Sequence, residues 1–232
     1  MKFKYFKEKY MNVIKPETQI TLIDGIAYDV LQKADLEQCI ECVKNTFAYL
    51  DPLSIAAGLT PDELGVFINI FLRDNLVSDA LSVVARDEKT HDILGGILIN
   101  DFMAEIPETM DGLPASFDHI LALLDSLDQM YHENNIISKG EILHVLMAGV
   151  SPKNSNLGIG FHMLEKGYEI ARSRNYKGAI AEVTGPASQY LAEKFGARTL
   201  YKIRYAEFEN KGQYPFKSIT DCETIDLMYI DL

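Results

Sequence analysis

Val150-Ser151-Pro152-Lys153-Asn154-Ser155-Asn156-Leu157-Gly158-Ile159-Gly160 joins an apolar run to an amphipathic one. Residues 141–150 read as a buried strand, and residues 158–175 carry helical periodicity. Glycines at 158 and 160 let the backbone pass close to a ligand. The helix start that they open points unpaired N–H groups and a positive dipole end outward, which binds a pyrophosphate without a large positive charge. The glycines also fit a plain strand-to-helix turn, so the surroundings decide.

Downstream, residues 178–183 form a strand, 187–195 a helix, and 198–208 and 224–231 two closing strands. Upstream, residues 116–132 make an amphipathic helix, preceded by a loop at 102–114. Residues 81–86 and 93–101 read as an antiparallel pair across the polar turn 87–92. Thr60-Pro61-Asp62-Glu63 opens another helix, with Thr60 as cap, Pro61 in the first turn and Glu63 completing a capping box. Residues 36–47 are helical, and the runs 19–23 and 26–31 flank Asp24-Gly25 as a hairpin. This order predicts an α/β (α+β) domain over residues 1–232, with 1–25 an N-terminal extension. Its core is a twisted mixed sheet of about seven strands with helices on its faces. Repeats, low-complexity tracts and linkers are not evident.

Strand, Gly-x-Gly turn, helix, strand, and then Ala192-Glu193-Lys194-Phe195-Gly196-Ala197 resembles the core of the GCN5-related N-acetyltransferases, the GNAT superfamily. There the turn reads Arg/Gln-x-x-Gly-x-Gly/Ala. Gly158 and Gly160 match it, Ser155 replaces Arg or Gln, Asn156 stands where Gly is common, and Lys153 brings charge nearby. Ala48-Tyr49-Leu50-Asp51-Pro52-Leu53 with Ala57-Gly58-Leu59 resembles the Asp-Glu-Pro-Leu and Leu-Gly-Leu segment of insect-type arylalkylamine N-acetyltransferases. The helix at 117–131 and the tail Ile203-Arg204-Tyr205-Ala206-Glu207-Phe208 are similar to theirs as well, so the resemblance covers residues 26–232.

The resemblance implies acetyl-CoA as co-substrate, no metal, and direct attack of a small primary amine on the thioester. Cofactor contacts would come from Ala148, Gly149 and Val150 on the strand, from Ser155, Asn156, Leu157, Gly158, Ile159 and Gly160 in the turn, and from Lys194. Gly149 suggests a strand bulge, which in that family exposes backbone to the pantetheine arm. Asp51 takes the place of the base, and Thr184 and Ser188 fall on two hydroxyl positions. An ammonium must lose a proton before its nitrogen can attack, so the chemistry needs such a set. His144 is a second base candidate, on a strand similar to the His-bearing strand of vertebrate arylalkylamine acetyltransferases, with Leu146 at the partner position. Ala192 stands where many GNAT enzymes carry a tyrosine as general acid. Each residue also has a structural reading. Asp51 before Pro52 starts a turn or caps a helix, Thr184 caps the helix opened by Pro186, Ser188 is small for packing, and His144 is a strand histidine. The segment 102–135, with Phe102, Met103, Phe117 and Met130, either walls an acceptor pocket or covers the sheet.

Composition narrows the classes further. The chain has 232 residues, 47% of them apolar, enough for a sizeable core, and a formal charge of −12. Such a field repels nucleic acid and anionic lipid and concentrates cations. Neither nucleic acid nor membrane is therefore expected as a partner, and the oligomeric state is not legible. No run approaches the roughly 18–20 uncharged residues of a membrane helix, and no apolar run follows the basic start Met1-Lys2-Phe3-Lys4, so no signal peptide is expected. Cys39, Cys42 and Cys222 are odd in number and suit a reducing cytoplasm. Cys39-x-x-Cys42 lies in a helix without a second pair at zinc spacing and reads as packing. Two other functions fit the same sequence: an acyl-CoA-binding protein of this fold without transfer, and a protein-lysine acetyltransferase.

Overall fold

In the computed structural model, which describes residues 20–105 and 111–232, the apolar runs pair into one eight-stranded sheet of order β1-β2-β3-β4-β5-β6-β8-β7. The strands are β1 Thr21–Ile23, β2 Ile26–Val30, β3 Val83–Asp87, β4 Ile93–Asp101, β5 Ile142–Val150, β6 Gly178–Val183, β7 Arg198–Arg204 and β8 Thr224–Asp231. Neighbours run antiparallel, except β5 and β6, which are parallel. The eighth strand is the short first arm of the expected hairpin, since the three-residue β1 pairs along its whole length with β2. Asp24 and Gly25 make that hairpin with φ of 50° and 78°, the left-handed pair that a tight two-residue turn needs. Most of the expected N-terminal extension, the hairpin residue at 19 and residues 106–110 of the loop lie outside the described residues.

The helices are α1 Leu36–Leu50, α2 Pro52–Ala57, α3 Pro61–Phe71, α4 Arg73–Ser78, α5 Asp118–His132, α6 Ile159–Ser173 and α7 Pro186–Lys194. The capping box of α3 forms as the sequence reads: the Thr60 hydroxyl accepts from Glu63 N at 3.2 Å, and Glu63 accepts from Thr60 N at 2.9 Å. α1, α3 and α5 bury Val43, Ile68, Leu123 and Leu127 on one face of the sheet, against Leu98 and Leu227. α6 buries Met163 and Ile170 on the other, against Val83, Ile97 and Leu143. Each such side chain contributes about 1.5–3 kcal/mol by leaving water. Among the described residues no helix is long and apolar enough to cross a membrane.

Two irregularities position the site. Leu98 pairs with Met147 and Ile99 with Val145, so Leu146 is an extra residue bulging from β5. The bulge expected at Gly149 is not there, since Gly149 pairs in register with Gly96. Its missing side chain serves packing instead: a Cβ would lie 3.0 Å from the Val43 Cα and from the Thr46 Cβ of α1. The second irregularity is a fork. β5 and β6 pair only from Ile142 to His144 and from Gly178 to Ile180. Beyond that β5 follows β4 to Val150, while β6 follows β8 to Val183.

Candidate active site

Asp51 sits between α1 and α2 and serves both helices. Its N–H donates to Phe47 O at 3.1 Å and so closes α1. Its Oδ2 accepts from Ser54 N and from Ser54 Oγ, both at 2.8 Å, and so caps α2. Its Oδ1 accepts from Thr184 Oγ1 at 2.6 Å, a contact across 133 residues of chain. The capping reading of Asp51 is met by one oxygen, which leaves the other to face Thr184. A carboxylate offers about four lone-pair sites, and these three bonds leave one. Burial pushes the Asp51 carboxyl above its ordinary range, and the hydrogen bonds from Thr184 and Ser54 oppose it only in part.

Thr184 follows β6 at the open end of the fork. Its hydroxyl is turned to Asp51, and the cap of α7 is Gly185 instead. Ser188 Oγ donates to Gly185 O at 3.0 Å and accepts from Gly185 N at 3.3 Å, so its bonds stay within the first turn of α7. The structure thus brings Asp51 and Thr184 together and keeps the exposed Ser188 hydroxyl on its own helix.

His144 lies at the base of the fork, the last residue of β5 to pair with β6. Its Nε2 is 2.8 Å from Glu182 Oε2 on β6. The Phe102 ring stands edge-on to the imidazole, with centroids 5.2 Å apart, and stacks on His132 at 5.4 Å. Burial alone would lower the His144 pKa, but Glu182 and Asp128 outweigh it and hold the imidazole above its ordinary value. Burial likewise works against the Glu182 carboxylate, yet His144 holds it below the usual range. Each partner thus favours the charged form of the other. Glu182 is absent from the sequence reading. Its signal is a single acid in the apolar strand Gly178-Ala179-Ile180-Ala181-Glu182-Val183, in phase with buried Ile180. Phe117, by contrast, is core, stacked on Phe67 at 5.2 Å.

The turn from β5 to α6 keeps the backbone shape that the glycine pattern suggests. Asn156 and Gly158 have φ of 65° and 73°. Asn tolerates the left-handed region better than most side chains, so Asn156 fills a glycine position at small cost. The first intrahelical bond is His162 N to Gly158 O at 3.1 Å, which leaves the N–H groups of residues 158–161 without an intrahelical acceptor. Gly160 has no special φ, and a Cβ there would meet Leu191 at an ordinary 3.7 Å. Lys153, Ser155, Asn156 and Leu157 are exposed, as is Ala148 on β5, while Gly149 is buried and Val150 half-buried. Ile159 is buried under the helix, and Lys194 lies over the Tyr190 ring of α7 at 5.2 Å. A groove of about 630 Å³ opens beside the start of the turn, lined by Ser151, Pro152 and Thr46 together with Glu37, Glu41 and Asp92. Cys39 is fully buried in α1, where it fills the space over Gly96. Among the described residues no group of three or more His, Cys, Asp and Glu is placed to hold a metal ion.

This fold is shared with known proteins. No protein-family model matches the chain. Over 215 residues, 90% of its length, it is 26% identical to the β-alanyl-bioamine nonribosomal peptide synthetase ebony of Drosophila melanogaster, and the match spans 22% of that protein. The C-terminal condensation domain of Ebony, solved in complex with β-alanyl-dopamine, superposes with a TM-score of 0.80 at 21% identity, covering 89% of this chain and 99% of that one. Arylalkylamine N-acetyltransferase 2 of Aedes aegypti gives 0.73 at 22% identity, covering 90% and 99%. The chain has the GNAT fold, in the form found in insect arylalkylamine N-acetyltransferases.

Proposed function

We propose that the chain is an N-acyltransferase moving acetyl from acetyl-CoA to a small primary amine. The observation that carries this is the Asp51–Thr184 hydrogen bond of 2.6 Å at the open end of the β5–β6 fork, the end where the left-handed Asn156–Gly158 turn leaves β5. Acetyl-CoA supplies the activated thioester. The free N–H groups of residues 158–161 suit its pyrophosphate, and the edge of β5 that faces the fork, beyond the Leu146 bulge, offers backbone to its pantetheine arm. Asp51 accepts a proton from the amine, directly or through water, with the lone-pair site that Ser54 and Thr184 leave open. A backbone N–H on β5 holds the developing oxyanion, whose collapse breaks the C–S bond and expels the CoA thiolate, which takes up the proton lost by the amine. The excess of acid over base favours a cationic amine arriving from solvent. The free cysteines Cys39, Cys42 and Cys222 support a cytoplasmic setting.

A second reading keeps the transfer and changes the donor, to an aminoacyl thioester on the pantetheine of a carrier protein. Ser155 replaces the usual basic or amide residue of the turn, and Glu37, Glu41 and Asp92 border the groove at its start, which disfavours a nucleotide phosphate. The similarity to part of a nonribosomal peptide synthetase points the same way.

Calorimetry with acetyl-CoA on the wild type and Gly158→Val separates the readings. We expect binding that weakens roughly tenfold or more in the variant, because valine resists a φ of 73° and crowds the backbone that a phosphate must approach. Unchanged affinity in folded Gly158→Val would move the site elsewhere. Absent acetyl-CoA binding, with consumption of β-alanyl-pantetheine thioester, would favour the second reading. Asp51→Asn should lower turnover by roughly 10²–10⁴ under either.

A further inference from the structure

We propose that the loop of residues 205–223 belongs to the catalytic machinery, with Tyr205 as a positioning residue that fixes Thr184 and, through it, Asp51. The proposal rests on the reading of Asp51 as the base. Tyr205 follows β7 directly, is 1% exposed, and donates its hydroxyl to Thr184 O at 2.7 Å. The Cys222 thiol donates to the same oxygen at 3.3 Å. The strand ladder cannot serve that carbonyl, because β6 ends at Val183, its last residue paired to β8. Two donors from one loop therefore satisfy a backbone acceptor just where the sheet stops.

The loop is built to hold them there. Tyr205 N donates to Glu223 O at 3.0 Å, which closes its two ends. Fully buried Phe216 packs edge-on to Tyr205 and stacks with Phe208, so the loop carries its own small core. Asn210 lies 3.0 Å from His119, and Lys211 pairs with Asp118 at 2.8 Å, tying the loop to α5. With the carbonyl of Thr184 held, the peptide plane between residues 184 and 185 is set. A β-branched side chain on a fixed backbone has little χ1 freedom. The Thr184 hydroxyl is then committed to Asp51 Oδ1. The Pro52 ring fills the space over Gly185, so the α1–α2 corner and the loop both contact the joint.

The titratable groups of the loop that act on this joint are Tyr205 and Cys222, with Asp221 beside Cys222 and Asp226 behind on β8. The Thr184 bond favours the charged form of Asp51, against the burial that disfavours it. Loosening Thr184 should therefore move the Asp51 carboxyl still higher. This is a readout that a loss of general stability would not produce.

The test is a ¹³C NMR titration of the Asp51 carboxyl, assigned by its loss in Asp51→Asn, beside turnover with acetyl-CoA and tyramine. Tyr205→Phe keeps the ring and removes only the donor. It should raise the Asp51 midpoint and shift the acid limb of kcat to higher pH. It should also lower kcat roughly three- to tenfold, the range expected for one net hydrogen bond, with KM for acetyl-CoA unchanged. Thr184→Val should give the same shift without adding to that of Tyr205→Phe. An unmoved Asp51 midpoint in folded Tyr205→Phe would overturn the positioning role and leave the base reading intact. Full turnover by Asp51→Asn would overturn the base reading beneath it, even where the midpoint moves.

Discussion

Gly185 has an extended φ of −159°, which any residue adopts, so its glycine is there for space rather than for backbone freedom. An added Cβ would lie 2.9 Å from Pro52 Cγ and 3.2 Å from Cδ, and a proline ring cannot swing aside. We expect Gly185→Ala to push the Asp51–Pro52 corner off Thr184 and lengthen their 2.6 Å bond. Turnover should fall at least about tenfold, with unchanged acetyl-CoA affinity and a stability loss of about 1–3 kcal/mol from overpacking. Steady-state kinetics beside urea unfolding reads both, and wild-type turnover in Gly185→Ala would detach the corner from the chemistry. Asp51 and Thr184 stood out as candidates in the sequence because a family pattern marks their positions. Glu182 was not, since its meaning depends on a histidine 38 residues away on the neighbouring strand.

At the scale of elements, the His144–Glu182 pair spans β5 and β6 where their pairing ends, and it braces the base of the fork. The sign of its pH dependence follows from the two shifts. His144 is raised, so its contribution is whole below the ordinary histidine range and is lost as pH climbs through the folded value. Glu182 is lowered, so its contribution is present above the ordinary carboxylate range and lost as pH falls through the folded value. The pair stabilises fully between those ordinary ranges. Glu182→Gln should let burial dominate, bring the His144 midpoint down and remove its share of the alkaline loss of stability. The histidine Hε1 titration by NMR measures this directly, and an unmoved midpoint would mean that Glu182 does not hold the proton. The short helices α2 and α4 were illegible for a different reason: six residues each give fewer than two turns, too few for a period to emerge. Only the Asp51 cap and the left-handed Gly58, φ 68°, mark the ends of α2.

For the whole molecule, 34 acidic against 22 basic residues make a field that attracts cations over roughly a Debye length, about 10 Å at 0.1 M salt. We expect kcat/KM for tyramine, a cation in solution, to fall as sodium chloride rises from 20 to 300 mM (roughly, a span that halves the Debye length and more), while a neutral aromatic amine holds steady. Equal salt response for both would show that the field does not steer the acceptor. The sequence by itself determined what is local or periodic: the strand-turn-helix order, the left-handed hairpin at Asp24-Gly25, the capping box of α3 and the Gly158 turn. Backbone sterics and alternating burial act within a few residues, so their marks survive in one dimension. Only the tertiary structure decided that the bulge falls at Leu146, because a bulge is a mismatch between two strands and belongs to neither alone. It likewise decided that Gly149 clears a path for α1 and that Thr184 serves Asp51 rather than its own helix. Those outcomes depend on which distant atoms come within hydrogen-bonding or van der Waals reach, and that is settled only when the helices pack on the two faces of the sheet.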